Sequence, residues 1–165
     1  MSRDRSRFSL RRTRALERLL LVVLAALLLW SAPVSAYLGS DLSSVQADSI
    51  ALRGTVRTTA LLHYDVHEIR ADGGLTLREY VTPTGTVFAL SWFGPVPPDL
   101  QSLLGQYFPA YAAALAALNH PGLHRSVRIA LPELIVESGG HLRSYRGRAY
   151  VPGLVPADVA VAELP

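Results

Sequence analysis

The stretch from Arg78 to Leu100, REYVTPTGTVFALSWFGPVPPDL, constrains the fold more than any other part of the chain. It joins two strand patterns through a tight turn and leads into a helix. In Thr82-Pro83-Thr84-Gly85-Thr86 the proline pre-sets the first turn position and Gly85 supplies the positive φ needed to re-enter a strand. The flanks, LTLREYVT and TVFALSWF, are rich in Val, Thr, Phe, Tyr and Trp, which fit a pleated surface. Pairing Thr82 with Thr86 sets Val81 opposite Val87 and Glu79 opposite Ala89, with Tyr80 beside Phe88 and Arg78 beside Leu90 on the other side. Gly94-Pro95-Val96-Pro97-Pro98 ends the sheet run, because proline cannot donate to a ladder, and Asp99 caps the helix that follows.

Upstream, Ala60 to Arg70 alternates as a strand and turns at Asp72-Gly73-Gly74 into Leu75. A two-residue loop there gives an odd register, so odd positions of the first strand share a face with even positions of the second. One face then collects Leu62, Tyr64, Val66, Leu75, Leu77, Val81, Val87 and Ala89, as a helix-covered side would. The other carries His63, Asp65, His67, Arg78, Tyr80 and Trp92 with Phe88 and Leu90. Polar groups at the edge of an aromatic floor make those six polar and aromatic residues the candidate ligand-binding set.

Downstream, Leu100, Leu103, Leu104, Tyr107, Phe108, Tyr111, Leu115 and Leu118 form a helical apolar stripe, kinked or restarted at Pro109. Asn119 to Arg125 reads as a loop, and Leu134–Glu137 with Leu142–Tyr150 as a closing hairpin around Gly139-Gly140, with Gly147 a bulge or close approach. A short helix starting near Ser44 stops at Gly54, and Tyr37 to Ser44 reads as loose chain. The expected fold is α+β: a three-stranded antiparallel meander plus a C-terminal hairpin, packed on a kinked amphipathic helix, with a short N-terminal helix. The expected division is a signal peptide at 1–36, an N-terminal segment at 37–59, the α+β domain at 60–152 and a peripheral tail at 153–165.

Residues 1–18 hold seven arginines against Asp4 and Glu17, and the apolar run Leu19 to Trp30 follows. Pro33 breaks the helix and Val34-Ser35-Ala36 supplies small residues for a signal peptidase, so cleavage is expected between Ala36 and Tyr37. Twelve apolar residues span only about 18 Å, short of a bilayer core of about 30 Å, which argues against a lasting membrane anchor. Arg11-Arg12 lacks the apolar pair of a twin-arginine signal, and the absence of cysteine excludes a lipid anchor, disulfides and thiolate metal sites. Removing these 36 residues leaves 129, enough for one domain. Of sixteen arginines nine then remain, against eleven acids, so the basic balance belongs to the leader and the cue for nucleic-acid binding goes with it.

No strong catalytic pattern stands out. His63 and His67 lie about 13 Å apart along a strand and cannot share a metal, and His120 and His124 in their loop have no acidic companion. Glu137-Ser138-Gly139-Gly140-His141 offers an acid, a nucleophile and a base, but Val136 stands where a nucleophile elbow needs glycine. Glu79, among aliphatic residues, calls for Arg70, Arg143 or Arg146 as a partner; without one its pKa would rise. No catalytic residue, metal ligand or cofactor is assigned, since no phosphate-cradling loop, dinucleotide fingerprint or calcium loop is present.

Taken together, Ala36 before Tyr37-Leu38-Gly39, the block REYVTPTGTVFALSWFGPVPPDLQSLLGQYF and the block VESGGHLRSYRGRAYVP resemble a family of small exported bacterial proteins of unknown function, DUF2844. Ser40 departs from it, standing where such proteins often continue with glycine. The resemblance implies an exported, soluble protein of a Gram-negative bacterium, periplasmic or secreted, and carries over no reaction. The function expected is a non-catalytic binding or accessory module for a small ligand or an envelope protein. The alternatives are a structural partner in envelope assembly and a hydrolase-like enzyme.

Overall fold

The structure is a computed structural model that describes residues 38–118 and 126–164, all inside the unit Val34–Pro165. The leader, its cleavage point at Ala36 and Tyr37, and the loop carrying His120 and His124 lie outside the described residues. In chain order the elements are α1 (Ser43–Ala51), β1 (Gly54–Ala60), β2 (Asp65–Ala71), β3 (Thr76–Val81), β4 (Val87–Gly94), α2 (Leu100–Leu104), a 3₁₀ turn (Gly105–Tyr107), α3 (Phe108–Ala116), β5 (Ser126–Ala130), β6 (Ile135–His141) and β7 (Ser144–Tyr150).

All seven strands form one antiparallel sheet in the order β1-β2-β3-β4-β7-β6-β5. The class is α+β as expected, but the sheet exceeds a three-stranded meander plus a hairpin. A four-stranded meander, β1 to β4, meets a three-stranded one, β5 to β7, along the β4–β7 pair. The run read as one strand from Ala60 to Arg70 is broken by a tight turn, closed where the Leu61 N–H donates to the Tyr64 carbonyl. The strand before that turn, GTVRTTA, has β-branched residues but almost no buried side chain, so no hydrophobic alternation announced it.

Three local expectations hold. The Thr82 N–H donates to the Thr86 carbonyl at 2.9 Å with Gly85 at φ 89°, the three-residue loop proposed for that hairpin. The Asp99 carboxylate accepts from the Gln101 N–H and the Ser102 hydroxyl, capping α2. The helix over 100–116 is kinked: the 3₁₀ turn separates α2 from α3, and Pro109 sits in the first turn of α3, where its missing N–H costs nothing.

Strand alternation divides the sheet into a helix face and an open face. On the helix face Ile69, Leu77, Val81, Val87, Leu90, Trp92, Val136 and Ala149 pack with Leu103, Leu104 and Tyr111 from the helices. Leu38 is fully buried there, its N–H bonded to the Leu103 carbonyl, while Gly39 and Ser40 pair with Val87. The start of the domain, expected to be loose, is therefore tied into the core, and each such buried aliphatic contributes about 1.5–3 kcal/mol. On the open face a smaller cluster of Tyr80, Phe88 and Ala89 is covered by Leu164 together with Val155, Val159 and Val161. The C-terminal segment is thus a strap over one end of the open face rather than a peripheral tail. Among the described residues no helix is long and apolar enough to cross a membrane.

Candidate functional site: an arginine row on the open sheet face

The six candidate ligand residues do not share a face. The β2–β3 loop holds three residues, Asp72, Gly73 and Gly74, because the Ala71 N–H donates to the Leu75 carbonyl. The register sum is therefore even, with Asp65 opposite Val81 and His67 opposite Glu79. A second shift comes at Phe88, a bulge residue that leaves Val81 opposite Val87 but slips the rest, so that Glu79 faces Leu90 and Leu77 faces Trp92. Asp65, His67 and Trp92 consequently lie on the helix face, and Arg78 and Tyr80 on the open face. His63 sits in the β1–β2 turn. Tyr80 is fully buried under the strap, its hydroxyl 3.0 Å from the Ser91 Oγ, and burial raises its pKa.

The expected turn at Gly139-Gly140 is also displaced. Both glycines lie within β6, and the chain turns at Leu142-Arg143, with Arg143 at φ 65°. Gly140 is needed because a Cβ there would sit 2.2 Å from the Ser144 carbonyl oxygen. Strand alternation puts Ser138 on the helix face and Glu137 and His141 on the open face, so acid, nucleophile and base do not converge.

The arrangement that the strands do create is a row of charge. Register partners across the whole sheet, read from β1 to β5, are Arg57, Glu68, Arg78, Ser91, Arg148, Glu137 and Arg128, all on the open face. Glu68 accepts from Arg78 at 2.9 Å and Arg70 at 2.7 Å, and Glu137 from Arg148 at 2.7 Å and Arg128 at 3.1 Å. The Arg78 guanidinium, helped by Arg70, holds the Glu68 carboxyl below the usual carboxylate range against the opposing effect of its partial burial. The next rung toward the β2–β3 loop adds Arg70 and Arg146 on either side of Thr76 and Phe93.

Six of the nine arginines after residue 36 thus share one face with Glu68 and Glu137. Among the described residues Arg57 and Arg146 have no carboxylate partner. The β3–β5 half of this face is a groove of about 1060 Å3, bordered by Arg78, Phe93, Arg128, Arg146, Arg148 and, at the strap, Leu164. Trp92 also borders it but is only 4 % exposed and belongs to the helix-side core. The expectation that no basic stripe survives beyond the leader is corrected by this row. Its members are scattered from position 57 to 148 and only strand pairing assembles them.

A second cluster lies beneath α1. Glu79 is fully buried, and its neighbour is the Asp48 carboxyl of α1 rather than any of the arginines expected, which lie on the open face or in the β6–β7 turn. Burial, followed by the charge of Asp48 and their shared hydrogen bond, pushes the Glu79 pKa up to about 9. His67, its register partner, lies 2.9 Å through Nδ1 from the Thr58 hydroxyl, and burial lowers its pKa against the opposing charge of Asp65. Among the described residues no group of three or more His, Asp or Glu side chains is placed to hold a metal ion.

The family model described as protein of unknown function (DUF2844) matches residues 34–164. The chain belongs to this family. The match covers every strand and helix described above, so the arginine row and the buried acid pair both lie inside the DUF2844 domain. No curated protein and no solved structure matches the chain.

Proposed function

We propose that this DUF2844 protein is an exported binding or accessory module whose open sheet face holds an anionic partner. The observation that carries this reading is the segregation of six arginines, against two glutamates, on the sheet face opposite the helices. Arginine suits the task, because its planar fork pairs in two-pronged fashion with carboxylate, sulfate or phosphate. Ser138 lies on the face opposite Glu137 and His141, which weighs against the hydrolase alternative at that turn.

Arg57 and Arg146 are exposed and, among the described residues, free of carboxylate partners, so reversing both leaves the two shared glutamates intact. The Arg57→Glu/Arg146→Glu variant is expected to leave a heparin column at markedly lower salt than the parent while keeping its circular dichroism spectrum. Elution of both proteins at the same salt would remove the open face as the binding surface. Export rests on the arginine-rich leader and its apolar run. The product recovered outside the cytoplasm is expected to start at Tyr37 on N-terminal sequencing, and a product that still begins at Met1 would refute processing.

A further inference from the structure

On the β1 side the sheet ends in an edge that no described residue pairs with. β1 joins β2 alone, its register runs unbroken from Gly54 to Ala60, and every side chain after Gly54 is exposed. Such an edge presents a row of unpaired N–H and C=O groups, which proteins ordinarily guard with proline, a bulge or several charges. β1 has no proline, no bulge and a single charge, Arg57. Apolar side chains stand exposed around the same edge: Val56 on the strand, Leu61 and Leu62 in the turn after it, and Ile50 on α1, the helix packed against β1.

Hydrogen bonding fixes which residues face outward. The Leu61 N–H donates to the Tyr64 carbonyl, so by alternation Thr59, Arg57 and Thr55 also direct their backbone groups to β2, while Gly54, Val56, Thr58 and Ala60 direct theirs away from the sheet. A second copy pairing antiparallel must match outward residues with outward residues, which leaves few registers. A two-fold axis at Arg57 sets the two arginines directly opposite each other, a destabilising like-charge pair. An axis at Val56 runs the second copy's strand into the corner at Arg53, where φ is 49° and the chain leaves α1. An axis at Thr58 avoids both. Thr58 then pairs with Thr58 and Val56 with Ala60, each pair exchanging both backbone hydrogen bonds. Arg57 meets Thr59, and Leu61 and Leu62 come to lie beside Thr55 and Gly54 of the second copy.

We infer that the chain self-associates through β1, two copies joining antiparallel about a two-fold axis at Thr58 into one continuous sheet. That axis stands perpendicular to the sheet, so both open faces lie on the same side and the dimer presents two arginine rows on one surface. The inference is independent of whether that face holds an anion.

The test is sedimentation velocity on the purified full chain, with Val56→Pro and two single-cysteine variants beside it. The parent is expected to dimerise as its concentration rises. Proline at 56 removes an outward N–H and none bonded to β2, so Val56→Pro is expected to weaken dimerisation at least ten-fold with an unchanged circular dichroism spectrum. The chain has no cysteine, so an introduced one reports only on its own symmetry mate. Thr58→Cys is expected to give a disulfide-linked dimer on mild oxidation, since facing residues of a hydrogen-bonded pair lie about 5.5 Å apart, within disulfide range. Arg57→Cys, whose mates lie diagonally about 7–8 Å apart, is expected to cross-link at least ten-fold more slowly. A parent that stays monomeric at every concentration overturns the inference and leaves the edge to a strand of another protein. Dimerisation of Val56→Pro as tight as the parent's, or faster cross-linking of Arg57→Cys than of Thr58→Cys, overturns it as well. If Val56→Pro loses its fold, the relative rates of the two cysteine variants decide.

Discussion

Between pH 7 and pH 9 the protein is expected to lose about 2 kcal/mol of stability, and Glu79→Gln to abolish most of that loss. The folded state keeps the Glu79 proton up to about pH 9, whereas the unfolded chain releases it near 4.5. Above 4.5 the native state therefore binds more protons than the unfolded one, and stability falls by up to about 1.4 kcal/mol per pH unit until Glu79 ionises. His67 acts in the opposite sense. Its folded pKa is depressed below 6.5, so the unfolded chain takes up a proton first and stability falls as pH drops below that value. The two effects oppose each other between 4.5 and 6.5, which leaves pH 7 to 9 as the window where Glu79 acts without opposition from His67. Glutamine keeps a donor toward Asp48 without an ionisable proton. Urea denaturation at pH 7, 8 and 9 measures the effect, and equal slopes for parent and variant would show that Glu79 does not hold its proton in the fold.

Trp92→Ala is expected to cost about 3–5 kcal/mol, the range for emptying a buried aromatic site. The indole is 4 % exposed in the helix-side core, and β7 passes so close that a Cβ on Gly147 would stand 2.3 Å from Trp92 Cζ2 and 2.6 Å from the Glu137 carbonyl oxygen. Gly147→Ala should destabilise for the same reason, by forcing the ring or the strand aside. A guanidinium denaturation midpoint for Trp92→Ala equal to the parent's would place the ring outside the core. Any loss of ligand affinity in this variant is expected to accompany loss of fold.

Local chemistry was legible wherever a few neighbouring residues decide the outcome. Pro83 and Gly85 marked one hairpin, Asp99 its helix cap, Pro109 the kink, and the apolar stripe from Leu100 to Leu118 the packed helix. What escaped depended on register. One extra residue in the Asp72–Gly74 loop and one bulge at Phe88 were enough to move Asp65, His67 and Trp92 to the face opposite Arg78. Glu79 was recognisable as a buried acid from its aliphatic neighbours, but its partner was not, because Asp48 arrives from a helix 31 positions earlier. The arginine row gave no local signal at all. Each member sits in an ordinary alternating strand, and GTVRTTA and SVRIA, the edge strands that complete the row, are short and largely exposed.

The order of charges across the sheet is the same counted from β1 or from β5. The two ends of that order are nonetheless unlike, since Arg57 is free of a carboxylate among the described residues whereas Arg128 is held by Glu137, and Arg148 but not Arg78 donates to the Val161 carbonyl of the strap. The face therefore has a direction across its strands that the sequence of signs alone conceals.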